Sequence, residues 1–339
     1  MIAKNREIPR RILMNEALIE RLTPIHYLLQ VIKTDLAKRK AGYRGELQLD
    51  YHLQFISKDK NIMILHDLRL EIDGRYFQID TLLLTSYLVI VLEVKHISGT
   101  YTLDSRFDQA IRKLADKEEA FSHPVTQVER QKKQLIRWFT KMKVPSIPIA
   151  TLVVMTNRST VLNTTSQNEK YHNVVRVENV EERILSLLTY YHKEHFPIKQ
   201  VRKLSNLLVK KHAPLIAFPD EIYGISTGEI ITGVQCPECR HLPMLRKYGH
   251  WHCLMCSGKS KDAHISALRD YSLLLSQQIT NKQVRNFLHL ESRKTALNIL
   301  HSLNLHSTGG TNNKTYHFTL HTASQTAHQS NSSTARPSR

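Results

Sequence analysis

The chain reads as a mixed α/β protein: a mixed central sheet flanked by helices, then a small cysteine-bounded module and a helical C-terminal region. Three observations carry this reading. Apolar runs of strand length alternate with helix-length periodic segments through about the first 210 residues. All four cysteines fall between Cys236 and Cys256. Two further helical patterns, near 263–277 and 281–305, follow them.

Taken in order, residues 8–40 look helical and end in the basic run Lys38, Arg39, Lys40. In GYRGELQLDYHLQFI, Leu47, Tyr51 and Phe55 recur at helical spacing, which sets Glu46 at the start of a helix behind Gly45. NIMILHDLRLEI and RYFQIDTLLLT are expected strands joined by the hairpin signal Asp73-Gly74. YLVIVLEVK is a third strand after a short turn at Thr85-Ser86. HPVTQVERQKKQLIRWF should be a helix opening at Pro124, because proline suits the first helical position. IPIATLVVMT and NVVRVENV are further strands, with helices near 180–195 and 197–211. The expected boundaries are an N-terminal helical region (1–40), an α/β domain (41–212), a linker (213–233), the cysteine module (234–260), a helical region (261–320) and a disordered tail (321–339). That tail is rich in Ser, Thr, Asn and His. The chain has 339 residues, enough for about two domains.

Charge narrows the partners. Lys plus Arg number 48 against 30 Asp plus Glu, a formal net charge of +18, which favours a polyanion such as nucleic acid. No run reaches the roughly 18 apolar residues of a membrane span. The longest, 82–94, is interrupted by Thr85, Ser86 and Glu93. The N-terminus lacks the apolar core of a signal peptide. Few, clustered cysteines suit metal binding in a reducing compartment rather than a disulfide scaffold. A cytoplasmic protein with no membrane association is expected.

The apolar hairpin QIDTLLLTSYLVIVLEVK carries Asp80, Glu93 and Lys95. Buried charges need partners or a function. Alternate strand residues share a face, so Glu93 and Lys95 point the same way. With a two-residue turn Asp80 faces Val91, one diagonal step from Glu93; with a four-residue turn it faces Glu93 directly. Either register puts both acids on one face. Two hard carboxylates beside a lysine suit Mg²⁺ or Mn²⁺, which polarises a phosphate while the lysine assists the attacking water. The Val94 carbonyl is a further possible ligand.

Asp80, a gap, then Glu93-Val94-Lys95 resembles the D-x(n)-ExK core of the PD-(D/E)XK nucleases. GYRGE, FQIDTLLLT, LVIVLEVKHISGT and PVTQVERQ, in that order, resemble the NERD domain, a nuclease-related domain of many bacterial proteins. The resemblance covers about residues 41–140. It implies a restriction-endonuclease-like fold and a metal-dependent nuclease acting on nucleic acid, DNA first. It carries Glu46 over as the helical acid, Asp80 and Glu93 as Mg²⁺ ligands, Lys95 as the catalytic lysine and Gln127 as a remaining polar site residue. The superfamily's leading proline is absent, since Ile79 precedes Asp80. The alternative reading is a non-catalytic DNA-binding or regulatory protein on a nuclease-like fold.

Cys236-Pro-Glu-Cys239 and Cys253-Leu-Met-Cys256 have zinc-ribbon spacing, and four thiolates make a closed, structural Zn²⁺ site. Between the knuckles Arg246, Lys247 and Trp251 are candidates to hold a phosphate backbone or stack on a base, although Trp251 equally suits the ribbon core. Downstream, Thr280 would cap the first helix of a helix-turn-helix and Glu291 or Ser292 would begin the second, with Arg293, Lys294 and Asn298 facing outward and TYHFTL where a wing would sit. A plain helical hairpin is the other reading of that stretch.

Overall fold

The computed structural model describes residues 1–165, 169–310 and 313–318. The expected tail at 321–339 lies outside the described residues. The chain divides into two compact units: Met1–Glu7 with Lys38–Leu215, and Ile8–Ala37 with Ile216–Arg339. The boundary at residue 40 therefore moves, because the first residues form strand β1 (Ile2–Lys4) of the α/β unit. Helix α1 (Arg10–Arg21) belongs to the other unit, and α2 (Leu29–His52) contributes to both.

In the first unit α2 and the short α3 (Gln54–Ser57) precede strands β2 (Met63–Ile72), β3 (Arg75–Leu84) and β4 (Val89–Lys95). Asp73 and Gly74, both at positive φ (52° and 73°), close the β2–β3 hairpin as its sequence demands. Strands β5 (Thr100–Asp104), β6 (Gln109–Leu114) and β7 (Lys117–Ser122) follow, then α4 (Pro124–Lys141), β8 (Ile149–Met155), β9 (Val161–Thr164) and β10 (Val174–Arg176). Helices α5 (Val180–Tyr190) and α6 (Ile198–Lys211) complete the unit. The main sheet runs β1-β2-β3-β4-β8-β10. β2–β3–β4 is antiparallel, whereas β1–β2, β4–β8 and β8–β10 are parallel. One face packs on α4 and α6 through Val128, Leu135, Trp138, Val201 and Leu208. The other packs on α2, α3 and α5 through Leu49, Leu53, Ile56, Val180 and Ile184. The sheet is therefore mixed and covered on both faces, the class that its near-continuous apolar strands imply.

A second sheet, β7-β6-β5-β9, was not expected. Its sequence hides it: β7 is KEEAFS, exposed at every position, and offers no apolar alternation.

Glu46 does not start a helix. It lies within the single helix α2, and the residues that suggested the helix, Leu47, Tyr51 and Phe55, are exposed (44%, 63% and 60%). The inward face is instead Gly45, Leu49 and Leu53. Gly45 allows the helix to approach the sheet: a Cβ there would sit 2.5 Å from His96 Cβ and 2.6 Å from Thr156 Oγ1.

In the second unit, α1, α7 (Pro219–Tyr223) and α8 (His264–Leu274) share a core of Leu13, Leu18, Ile32, Ile225, Ile230 and Leu274. The expected linker at 213–233 is thus largely built into this core. Arg21 and Asp270 form a buried ion pair at 2.8 Å, and Arg21 also donates to the Ile231 and Gly233 carbonyls. Strands β11 (Leu245–Lys247), β12 (His250–His252) and β13 (Lys259–Ser260) make a small sheet beside the cysteines. Then come β14 (Gln278–Thr280), α9 (Asn281–Leu288), α10 (Arg293–Ser302), β15 (His306–Thr308) and β16 (Thr315–His317), with the three strands ordered β14-β16-β15. Thr280 caps α9 in a capping box and Ser292 caps α10. Cysteine module and C-terminal helices are not separate bodies: Val234, Cys236, Trp251, Tyr271, Phe287 and Leu300 belong to one core. No helix among the described residues is long and apolar enough to cross a membrane.

Two glycines on α2 separate contact from helix propensity. Gly45→Ala should destabilise, because overpacking costs about 1–3 kcal/mol against the roughly 1 kcal/mol that alanine gains in a helix. Gly42→Ala meets nothing within 4 Å and should stabilise. Urea denaturation of both variants checks the opposite signs.

Candidate active site and metal centre

The β3–β4 ladder starts at Leu84↔Val89, so the connection is the four-residue turn and not the two-residue one. It ends at Thr81↔Leu92, one step short of Asp80 and Glu93. Beyond that point Asp80 Oδ2 accepts the Val94 N–H at 2.9 Å. A side chain thus takes over a backbone donor where the strands part.

The same level is irregular in β2. Asp67 adopts φ 49°, which aspartate tolerates better than most residues. His66↔Thr81 and Leu68↔Ile79 pair around it, which sets Asp67 opposite Asp80. Side-chain alternation slips in both strands here. Leu65 and Leu68 share the α4/α6 core, as do Ile79 and Leu82. Strict alternation would have sent one of each pair to the opposite face. The slip frees Asp67, Asp80 and Thr81 from core packing and gathers them at one end of the sheet.

Glu93 is 3% exposed, and both its oxygens are engaged. Oε1 accepts from Lys95 Nζ at 2.7 Å and Oε2 from Gln131 Nε2 at 2.7 Å. Lys95 Nζ also donates to Gln127 Oε1 at 2.9 Å. Gln127 and Gln131 stand one helical turn apart on α4, so one helix face aims the lysine and steadies the acid. Gln131 escaped the sequence reading, although its i+4 spacing from Gln127 marks it.

Glu46 points to the same region from α2 and is bound by Arg6, whose Nη1 lies 2.8 Å from Glu46 Oε2. Arg6 makes a bidentate pair with Asp50 at 2.8 and 3.1 Å and donates to Thr81 Oγ1 at 2.9 Å. Asp50 sits one turn after Glu46 and was readable by that spacing. Arg6 was not: it lies 74 residues before Asp80 in a stretch without a motif.

Burial sets the charge states, with neighbours second. Asp80 is pushed well above the ordinary carboxylate range by desolvation, then by the charges of Glu93 and Glu46. Burial raises Glu46 to about 7 despite Arg6, which shares its charge among Asp50, Glu46 and Asp67. Burial lowers His66 to about 4, so it is neutral at pH 7 beside Arg6. Asp80 and Glu93 are thus hard oxygen donors whose mutual repulsion a divalent cation would relieve, and they fit Mg²⁺ or Mn²⁺.

The four cysteines are free thiols whose Sγ atoms all lie within 4.8 Å of one another. Cys236–Cys256 and Cys239–Cys253 approach to 3.6 and 3.4 Å. Tetrahedral Zn–S bonds of about 2.3 Å require sulfurs roughly 3.8 Å apart, so the set fits zinc. The two knuckles repeat one geometry. Cys236 N–H donates to the His241 carbonyl and Cys253 N–H to the Gly258 carbonyl, and the residue after each second cysteine, Arg240 or Ser257, has positive φ.

Of the residues proposed to touch nucleic acid, Lys247, Arg293 and Lys294 are exposed. Trp251 is not available to stack on a base. It is fully buried, donates to His264 Nδ1 at 3.1 Å, and has the Arg246 guanidinium 5.0 Å from its ring centre. Arg246 is correspondingly half-buried, with Nη1 near the Lys261 carbonyl.

Two outcomes follow. Glu46, ordinarily 4.5 and raised to about 7 in the fold, adds stability at acid pH that is lost as pH rises through about 7. Glu46→Gln should therefore lose less stability than the parent between pH 5 and 8, measured by denaturant midpoints. The cysteines should hold one metal ion per chain, measured by zinc release. Cys253→Ser should lose it, and the emission of Trp251 should shift red as the ribbon core opens.

No curated protein and no solved structure matches this chain. Residues 41–156, about a third of the chain, match the family model NERD, the nuclease-related domain. That span contains Glu46, Asp80, Glu93, Lys95 and Gln127, so the part of the chain that builds the site is similar to a nuclease-related domain.

Proposed function

We propose that the α/β unit is a metal-dependent nuclease that hydrolyses phosphodiester bonds, with DNA as substrate. The observation that carries this reading is the joining of Asp80, Glu93, Lys95 and Gln127 where the β3–β4 ladder ends. Asp80 and Glu93 would hold Mg²⁺, which supplies a Lewis acid for the scissile phosphate. Lys95 carries three N–H donors. Two are directed at Glu93 and Gln127, which leaves one for an attacking water or a phosphate oxygen. Gln127 fixes the direction of Nζ, and Gln131 keeps the Glu93 carboxylate turned toward the site.

Binding would fall to the second unit. The α9–α10 pair, with β15–β16 behind it, supports a winged helix-turn-helix, and α10 presents exposed Arg293, Lys294 and Asn298 in its first two turns. A helix fits the major groove of B-form DNA and not the narrow one of A-form RNA, which favours DNA. Lys247 adds an exposed positive charge on the ribbon hairpin, and the +18 net charge suits a phosphate backbone.

The test is cleavage of labelled single- and double-stranded DNA and RNA with Mg²⁺, Mn²⁺ or EDTA. Metal-dependent cutting of DNA should fall at least about 100-fold in Asp80→Asn and in Lys95→Ala. Salt-sensitive binding should survive in both variants. Binding without cutting by the parent would instead identify a non-catalytic DNA-binding protein on this fold.

A further inference from the structure

Arg6 is the least expected member of the acidic end of the sheet. Its side chain is 2% exposed, and all three guanidinium nitrogens are engaged. Nε and Nη2 clamp Asp50, Nη1 holds Glu46, and Nη2 also reaches Thr81 Oγ1 and, at 3.3 Å, the Asp80 carbonyl. Asp67 stands 3.7 Å from Nη1. One fixed positive charge thus sits among Glu46, Asp50 and Asp67, next to the pair Asp80 and Glu93. The residue lies just after β1, ahead of the span that matches the nuclease-related domain. Strand pairing sets its place: β1 runs parallel to β2, and Lys4 Nζ donates to the His66 carbonyl.

The position has a consequence for metal count. Glu46 Oε2 accepts from Arg6 Nη1 at 2.8 Å, so a second divalent ion bound there would face the guanidinium at close range. Glu46 is the acid that would otherwise be free to bind such an ion beside Asp80.

We propose that Arg6 is a built-in cation that occupies Glu46, so that the centre takes one divalent ion, on Asp80 and Glu93, and Glu46 is not a ligand. This rests on the metal-dependent reading above but not on cutting. Arg6 acts here as a positioning residue: it replaces a second ion and holds the Thr81–Asp80 backbone from the side.

The experiment counts Mn²⁺ bound to the full-length, zinc-loaded protein by the loss of the free-ion electron paramagnetic resonance signal at pH 8. The parent should bind one ion, and Asp80→Asn should lose it. Glu46→Gln should still bind one, since its carboxylate is already taken by Arg6. Arg6→Gln should rise to two, and Arg6→Gln with Glu46→Gln should return to one. Arg6→Lys, which keeps the charge, should stay at one. Two ions in the parent, or an ion lost with Glu46→Gln, would overturn the proposal, as would a folded Arg6→Gln that still binds one. If Arg6→Gln does not fold, the Glu46→Gln count alone decides. A parent that binds one ion through Asp80 yet cuts no nucleic acid would refute the nuclease reading and leave this proposal standing.

Discussion

Charge balance at one end of the main sheet governs the rest of the α/β unit. Glu46, Asp50, Asp67, Asp80 and Glu93 gather there, and two cations, Arg6 and Lys95, are held against them at 2.7–2.8 Å. Without partners such acids would cost more than the surrounding core could offset. Each supporting feature answers that demand. The segment after β1 delivers Arg6, α4 delivers Gln127 and Gln131, and Gly45 lets α2 come close enough to bring Glu46. The repulsion that remains between Asp80 and Glu93 is what the proposed divalent ion would relieve.

Strand irregularity is the means by which the sheet supplies those acids without exposing its core. Above the break, Leu82, Leu84, Val89 and Val91 pack beneath α4. Below it, Phe77 and Ile79 return to the same core. Asp67 in the left-handed region and the Asp80–Val94 bond occupy the seam between the two packed segments. Chemistry and packing thus alternate along β3 within three residues.

Much of this was legible from local signals. Asp73-Gly74, Pro124 and the cap Thr280 act over a few residues, and each element they bound is present. Both possible turn lengths placed Asp80 and Glu93 on one face, so that inference was insensitive to the register that had to be guessed. Glu46 was found, but on the wrong footing. An exposed ridge, Leu47–Tyr51–Phe55, has the same period as a buried one, and only the packing of Gly45 tells them apart. The sheet of β5, β6, β7 and β9 was invisible, because β7 is exposed throughout and only Tyr101, Leu103 and Ala110 of β5 and β6 reach the core. Arg6 depends on a parallel pairing some 60 residues apart, for which the sequence has no local signal. Trp251 was open to two readings, a stacking surface or the ribbon core, and its burial decides for the core.

The shared core of the ribbon and the C-terminal helices links metal supply to assembly. Cys256 precedes α8, α9 and α10 in the chain, so both knuckles emerge from the ribosome before the helices they will support. Tyr271, Phe287 and Leu300 share one core with Trp251 and Cys236. An ion held by the four cysteines would therefore also steady the core on which α9 and α10 pack. A shortage of the ion would then weaken this core and not those of the α/β unit, which contain no cysteine.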